Sequence, residues 1–244
     1  MTTIFPEQIP EREKFILECV DNDTTQYNFV KLTVSESPKI ELLVFEDALK
    51  IDNVRVNVSA KCQQLIADRL SCIMPTAKIY DLIWHFCHNK INPSPQLISS
   101  SVKAMIAHSQ RVDKLIESIG NPPGLKSTVG KTWILDNALI GKTDKACNYG
   151  WCFTTGDRFQ GIHGNVCASL LKNPKTGGYW CVIQGRGLAH NYLHSDYSQI
   201  CLLVSRKCFV NNLECDILAV LQNPELAKYL NHDGVLKLIR QPGV

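Results

Sequence analysis

The stretch Ala-His-Asn-Tyr-Leu-His-Ser-Asp-Tyr-Ser-Gln at 189–199 places two imidazoles, a carboxylate and several hydroxyls within eleven residues. Histidine moves protons near neutral pH, and a carboxylate held against one ring nitrogen fixes which nitrogen does so. His190 therefore reads as a general base and Asp196 as the group that orients it. Such a pair needs a nucleophile, and Cys152 in Asn-Tyr-Gly-Trp-Cys-Phe (148–153) or Ser198 can supply it. Thiol attack requires the thiolate, so Cys152 gains that role only if a histidine lies beside it. The expectation is that the 149–152 strand meets the 184–198 loop around one polar pocket. Lys131, Tyr149, Trp151, Tyr197 and Ser198 are then the substrate-binding residues, with Tyr149 or Ser198 helping to hold an oxyanion.

The same residues have other readings. His190-x3-His194-x-Asp196 carries three ligand types suited to zinc, with Cys152 or His163 as a fourth, although the primary expectation is a site without metal or cofactor. The plain alternative is a polar loop that precedes the apolar strand Ile-Cys-Leu-Leu-Val. His163 between glycines reads as a turn residue, and His85 and His88 as structural. Gly-Leu-Lys-Ser-Thr-Val-Gly-Lys-Thr (124–132) imitates a phosphate-binding loop. It has five residues where the pattern needs four, and a strand-like run follows where a helix must begin.

Several elements must position these groups. Phe29 to Val58 reads as short strands of a meander, with β-branched runs broken by polar turns. Ser59 precedes a helical run, and Ile79, Leu82, Ile83 and Phe86 recur at i, i+3, i+4 and i+7 in a second helix. A third is expected from Ser99 to Ile119. Gly-Asn-Pro-Pro-Gly at 120–124 is the plainest breaker and a candidate internal boundary of an otherwise single domain spanning 1–244. Strands dominate afterwards, followed by short helices from 211 onward. The fold class is therefore α+β, with helices mainly in the first half packed on a largely antiparallel sheet built mainly from the second.

Tyr-Gly-Trp-Cys (149–152), followed by Ile-Gln-Gly-Arg-Gly-Leu-Ala-His-Asn-Tyr-Leu-His-Ser-Asp-Tyr-Ser (183–198) and a strand, resembles an uncharacterised group of bacterial proteins. Met-Pro-Thr-Ala-Lys-Ile-Tyr-Asp-Leu-Ile-Trp (74–84) resembles their proline-threonine helix start. The likeness covers about the last two thirds of the chain and implies a site at Lys131, Tyr149, Trp151, His190, Asp196, Tyr197 and Ser198, but no reaction. Histidines usual in that group are replaced here by Cys152 and Gln199.

Composition bounds the function. The 26 basic and 23 acidic side chains, net +3, are scattered without a basic stripe, so nucleic acid is not implied. No apolar run is long enough for a membrane span, and the prolines and charges of the first fifteen residues do not suit a signal peptide. Eleven cysteines without a Cys-x-x-Cys pair read as buried, reduced thiols of a cytoplasmic protein. The expected activity is hydrolysis of an amide or ester bond, in a peptide or peptidoglycan-like substrate, by Cys152, His190 and Asp196. The alternative is a non-catalytic protein that binds a small molecule or peptide in a groove of Trp151, Tyr179, Trp180, Tyr192 and Tyr197. A zinc-dependent hydrolase is the third. Oligomeric state is not legible.

Overall fold

The computed structural model describes residues 3–127, 129–153, 159–161, 164–173 and 176–244. The chain opens with α1 (Ile9–Asp21), which places Pro10 in its first turn, where a missing N–H costs nothing. Its buried stripe includes Arg12, whose guanidinium donates to the carbonyls of Ser100 (2.8 Å) and Glu7 (3.1 Å). Sequence reading overlooks this helix because charged residues occupy 11–14.

There follow β1 (Phe29–Glu36), β2 (Lys39–Phe45), β3 (Lys50–Ile51) and β4 (Val54–Arg55). Next come α2 (Ala60–Arg69), β5 (Cys72–Ile73), α3 (Ala77–Phe86), β6 (Asn89–Lys90) and α4 (Val102–Ser118). Each of the three later helices starts at a hydroxyl that accepts a backbone N–H: Ser59 from Cys62, Thr76 from Ile79, and Ser101 from Ala104. The Ser99–Ile119 expectation shortens to Val102–Ser118 because Ser101 is the cap.

The rest comprises β7 (Lys126–Ser127), β8 (Lys131–Ile134), β9 (Cys147–Phe153), β10 (Phe159–Gly161), β11 (Gly164–Val166), β12 (Ser169–Lys172), β13 (Tyr179–Gly187), β14 (Val204–Val210) and β15 (Leu213–Asp216). A single 3-10 turn, Asn137–Leu139, joins β8 to β9, and two short helices, α5 (Ile217–Gln222) and α6 (Ala227–Leu230), follow β15.

The class is α+β, but the strands form more than one sheet. A five-stranded sheet runs β1-β2-β14-β15, with β5 also on β14, and a four-stranded sheet runs β12-β13-β9-β8. First-half strands thus pair directly with second-half ones, as in Val204 opposite Val44. Alternation tells a strand which face to bury, not which strand to join, so this pairing was not readable. Asn89 bridges the 120–124 breaker, donating to the carbonyls of Pro122 (3.3 Å) and Pro123 (3.0 Å). Lys131 opens a strand, so the phosphate-loop imitation lacks the helix that would make it work.

Trp84 and Trp133 are the largest fully buried apolar side chains. Cys167 and Cys181 form a disulfide with Cα atoms 5.5 Å apart, which departs from the all-reduced expectation, while eight other cysteines are buried. Among the described residues no helix is long and apolar enough to cross a membrane.

Candidate functional site

Strand β9 organises the site because its regular alternation fails in the middle. Gly150 has φ +119° and Trp151 φ +63°, a left-handed conformation that costs a bulky residue of order 1–3 kcal/mol unless its surroundings enforce it. Tyr80 on α3 enforces it. Its hydroxyl donates to the Gly130 carbonyl and accepts the Trp151 N–H, both at 3.0 Å. The ring lies so close to the strand that a Cβ at position 150 would stand 2.5 Å from Tyr80 Cζ. Tyr149 and Cys152 consequently serve the side toward α3, and Trp151 turns toward α4.

On the α4 side lies Asp196, buried to 5% exposure. Oδ1 accepts both the Ser198 N–H (2.8 Å) and the Ser198 hydroxyl (2.5 Å), and Oδ2 lies 3.5 Å from His194 Nε2, at the outer limit of hydrogen bonding. These bonds and the nearby Lys131 ammonium outweigh burial and hold the carboxyl well below the usual range. The loop is clamped: Lys131 N–H donates to the Ser198 carbonyl, Tyr197 N–H to Ser99, and Gln96 N–H to the Tyr197 phenol. Lys131 Nζ lies 5.7 Å from the Trp151 ring centroid, and burial lowers its pKa. His108 from α4 completes the cluster, with its ring 5.2 Å from Tyr197 and 6.0 Å from Trp151. Burial, reinforced by Arg55, Arg111 and Lys131, pushes His108 down to about 4.

On the α3 side a second carboxylate, Asp81, is 8% exposed. Oδ1 accepts the Tyr149 phenol at 2.7 Å, and Oδ2 lies 2.7 Å from His232 Nε2. A carboxylate accepts only, which assigns the imidazole proton to Nε2 and leaves the Nδ1 lone pair available. The His232 side chain is 43% exposed, so water reaches it. Lys78, one turn before Asp81 on α3, feels its charge. Burial and Asp81 push the Tyr149 phenol far up, and they do the same to the wholly buried Cys152 thiol.

The expected site residues therefore divide. Lys131, Trp151, Tyr197 and Ser198 gather around Asp196, whereas Tyr149 and Cys152 gather around Asp81. His190 and Cys152 do not come together. The His190 carbonyl accepts from Ala146 N–H just ahead of β9, and Cys152 stands six residues further along, roughly 15–20 Å of strand. The His190 ring instead stacks on His194, with centroids 4.2 Å apart and planes 11° from parallel, and its edge meets Trp133. In-plane lone pairs of parallel rings cannot converge on one ion, so His190, His194 and Asp196 do not assemble a zinc site in this arrangement. No three metal-ligating side chains converge among the described residues. The Ser198 hydroxyl donates to the Asp196 carboxylate, not to an imidazole as an activated nucleophile would. The groove aromatics also disperse, since Trp180 packs on Trp84 and Tyr192 beside Gly243. His163 lies outside the described residues.

Asp81, His232 and His108 escaped the sequence reading. Asp81 breaks an otherwise apolar helix face beside Tyr80, which is the one signal that could have flagged it. His232 in Asn-His-Asp-Gly carries no pattern of its own. The sequence matches no known family model, and neither a curated protein nor a solved structure shows detectable similarity to the chain.

Proposed function

We propose that the chain hydrolyses amide or ester bonds by general-base activation of water at His232, oriented by Asp81. The observation that carries this reading is the 2.7 Å contact between a buried carboxylate and a solvent-reachable imidazole. Water gives a proton to Nδ1 while its oxygen attacks the carbonyl carbon. The imidazolium, stabilised by Asp81, then returns that proton to the departing nitrogen or oxygen as its bond to carbon breaks. Lys78, one turn before Asp81 and donating to the Lys228 carbonyl, supplies positive charge for a developing oxyanion. Cys152 lies within reach of the Asp81 charge but stays a thiol there and does not attack. Peptide and peptidoglycan-like substrates are the intended class.

Hydrolysis of p-nitrophenyl esters, aminoacyl p-nitroanilides and muramoyl peptides by the purified protein tests the reading. Turnover that disappears in His232→Ala and persists in His190→Ala supports it. Absence of turnover on all three substrate types removes it in favour of a binding protein. That second reading draws on Trp151 and Tyr197, whose rings both meet His108. A zinc-dependent variant requires stoichiometric metal by elemental analysis. A cytoplasmic setting suits the many buried thiols, and the Cys167–Cys181 bond, of a kind that persists in oxidising compartments, weighs against it.

A further inference from the structure

Lys131 differs from other partly buried lysines of the chain. Lys78, Lys90 and Lys126 each give an ammonium proton to a backbone carbonyl, of Lys228, Cys87 and Pro122 respectively. Among the described residues the Lys131 ammonium has no hydrogen-bond acceptor and no ion pair. It faces the Trp151 ring, 5.7 Å from Nζ to the centroid, and feels the Asp196 charge without pairing to it. Its side chain is only partly buried, so a small molecule can reach it.

The backbone that carries this amine is fixed. The Lys131 N–H donates to the Ser198 carbonyl and its own carbonyl accepts the Ile200 N–H, both at 2.8 Å, while on the other side Lys131 pairs with Gly150 of β9. A Cβ at Gly130 would stand 2.6 Å from Ile200 Cγ2 and 2.7 Å from the Ser198 carbonyl oxygen, so the two segments run in close contact. The same neighbourhood holds unsatisfied polar atoms. Trp151 Nε1, His108 Nε2, Gln199 Nε2 and Ser195 Oγ are buried and find no hydrogen-bond partner among the described residues. Protein interiors pair nearly all such atoms, so a group of them beside the left-handed Trp151 marks a place kept polar for a ligand.

An amine in this setting suits one kind of electrophile. Burial outweighs Asp196 and favours the free amine, the form that attacks. Acylation of Nζ would leave a neutral amide and strip the Trp151 face and Asp196 of their cation. Condensation with an aldehyde or ketone keeps it. The nitrogen–carbon bond forms, the carbonyl oxygen leaves as water with two of the three ammonium protons, and the iminium bears the single positive charge that the ammonium bore. Asp196 stays a counter-charge throughout and the ring still meets a cation.

We infer that Lys131 is a carbonyl-condensing amine that captures a small aldehyde or ketone as an iminium beside Trp151 and Asp196. The inference is independent of the hydrolase reading. The test incubates the full chain at neutral pH with glycolaldehyde, glyceraldehyde, dihydroxyacetone or pyruvate, each with sodium cyanoborohydride. That reagent reduces an iminium to a stable secondary amine, and peptide mass spectrometry maps the adducts. With at least one of the four, Lys131 should be labelled about tenfold or more faster than any other lysine. Lys131→Met, shown to be folded by its thermal melt, should lose the fast adduct while slow labelling of exposed lysines continues. Uniform labelling of all lysines overturns the inference, as does a Lys131 untouched by all four carbonyls. A fast adduct that survives in folded Lys131→Met overturns it equally, and the wild-type labelling ratio decides the matter even if that variant does not fold.

Discussion

Asp81 and Asp196 form a natural pair for comparison. Each is a carboxylate sunk below the surface, each accepts a hydroxyl, and each has a histidine beside it. The surroundings differ. Asp196 is wrapped by its own loop, its histidine stands 3.5 Å away with Nε2 shielded from solvent, and that ring is covered by His190. Asp81 joins segments far apart in the chain, and its histidine lies at 2.7 Å with a partly solvent-exposed side chain. Similar residue types thus produce a structural knot in one place and a candidate proton-transfer pair in the other. Accessibility and distance separate them, and composition does not.

That contrast can be broken most directly by neutralising each carboxylate in turn. Asp81→Asn and His232→Ala should each lower ester or amide turnover by about 10²–10⁴-fold, the range typical of general-base catalysis, while Asp196→Asn changes turnover little. Equal losses on both sides, measured as kcat/KM, would erase the distinction.

The strand that divides the two regions offers the next test. Gly150→Ala places a methyl against the Tyr80 ring in a backbone conformation that disfavours it, and should cost about 3–4 kcal/mol in chemical denaturation. A near-neutral result would mean that Tyr80 does not hold the bend.

A pH titration sharpens the Asp196 side. His108 binds a proton at 6.5 when unfolded and at about 4 when folded, so the unfolded state takes up more protons in between. Stability is therefore fully present above 6.5 and falls as pH drops toward 4, by up to about 3 kcal/mol. His108→Leu should flatten that slope, and an unchanged slope would assign the effect elsewhere.

The smallest expected effect concerns Cys152. With its thiol buried and its pKa raised, iodoacetamide should leave it unlabelled in the native protein, and Cys152→Ala should keep turnover within about twofold. Rapid labelling with inactivation would restore it as the nucleophile.

Local features were legible where the physics is local. Ser59 as a cap, the apolar stripe of Ile79 and Ile83, and the missing helix after Lys131 all follow from neighbouring residues. The α+β class follows from the same patterns. The partners of β2 and the convergence of Asp81 with His232, 151 residues apart, depend on pairings that no periodicity records. The stretch at 189–199 drew attention because its polar residues are adjacent, yet Ser198 and Asp196 use that adjacency to satisfy one another. Cys152 and His190 were linked only by chemical compatibility, and the length of β9 keeps them apart.

Tyr80 carries a further consequence. One phenolic oxygen bolts the α3 helix to the β8 approach at Gly130 and to the bent centre of β9 at Trp151, so these three segments behave as a single mechanical piece. Removing that oxygen alone, as in Tyr80→Phe, would unfasten helix from strand while leaving the aromatic packing in place, and both carboxylate neighbourhoods would register the slack together.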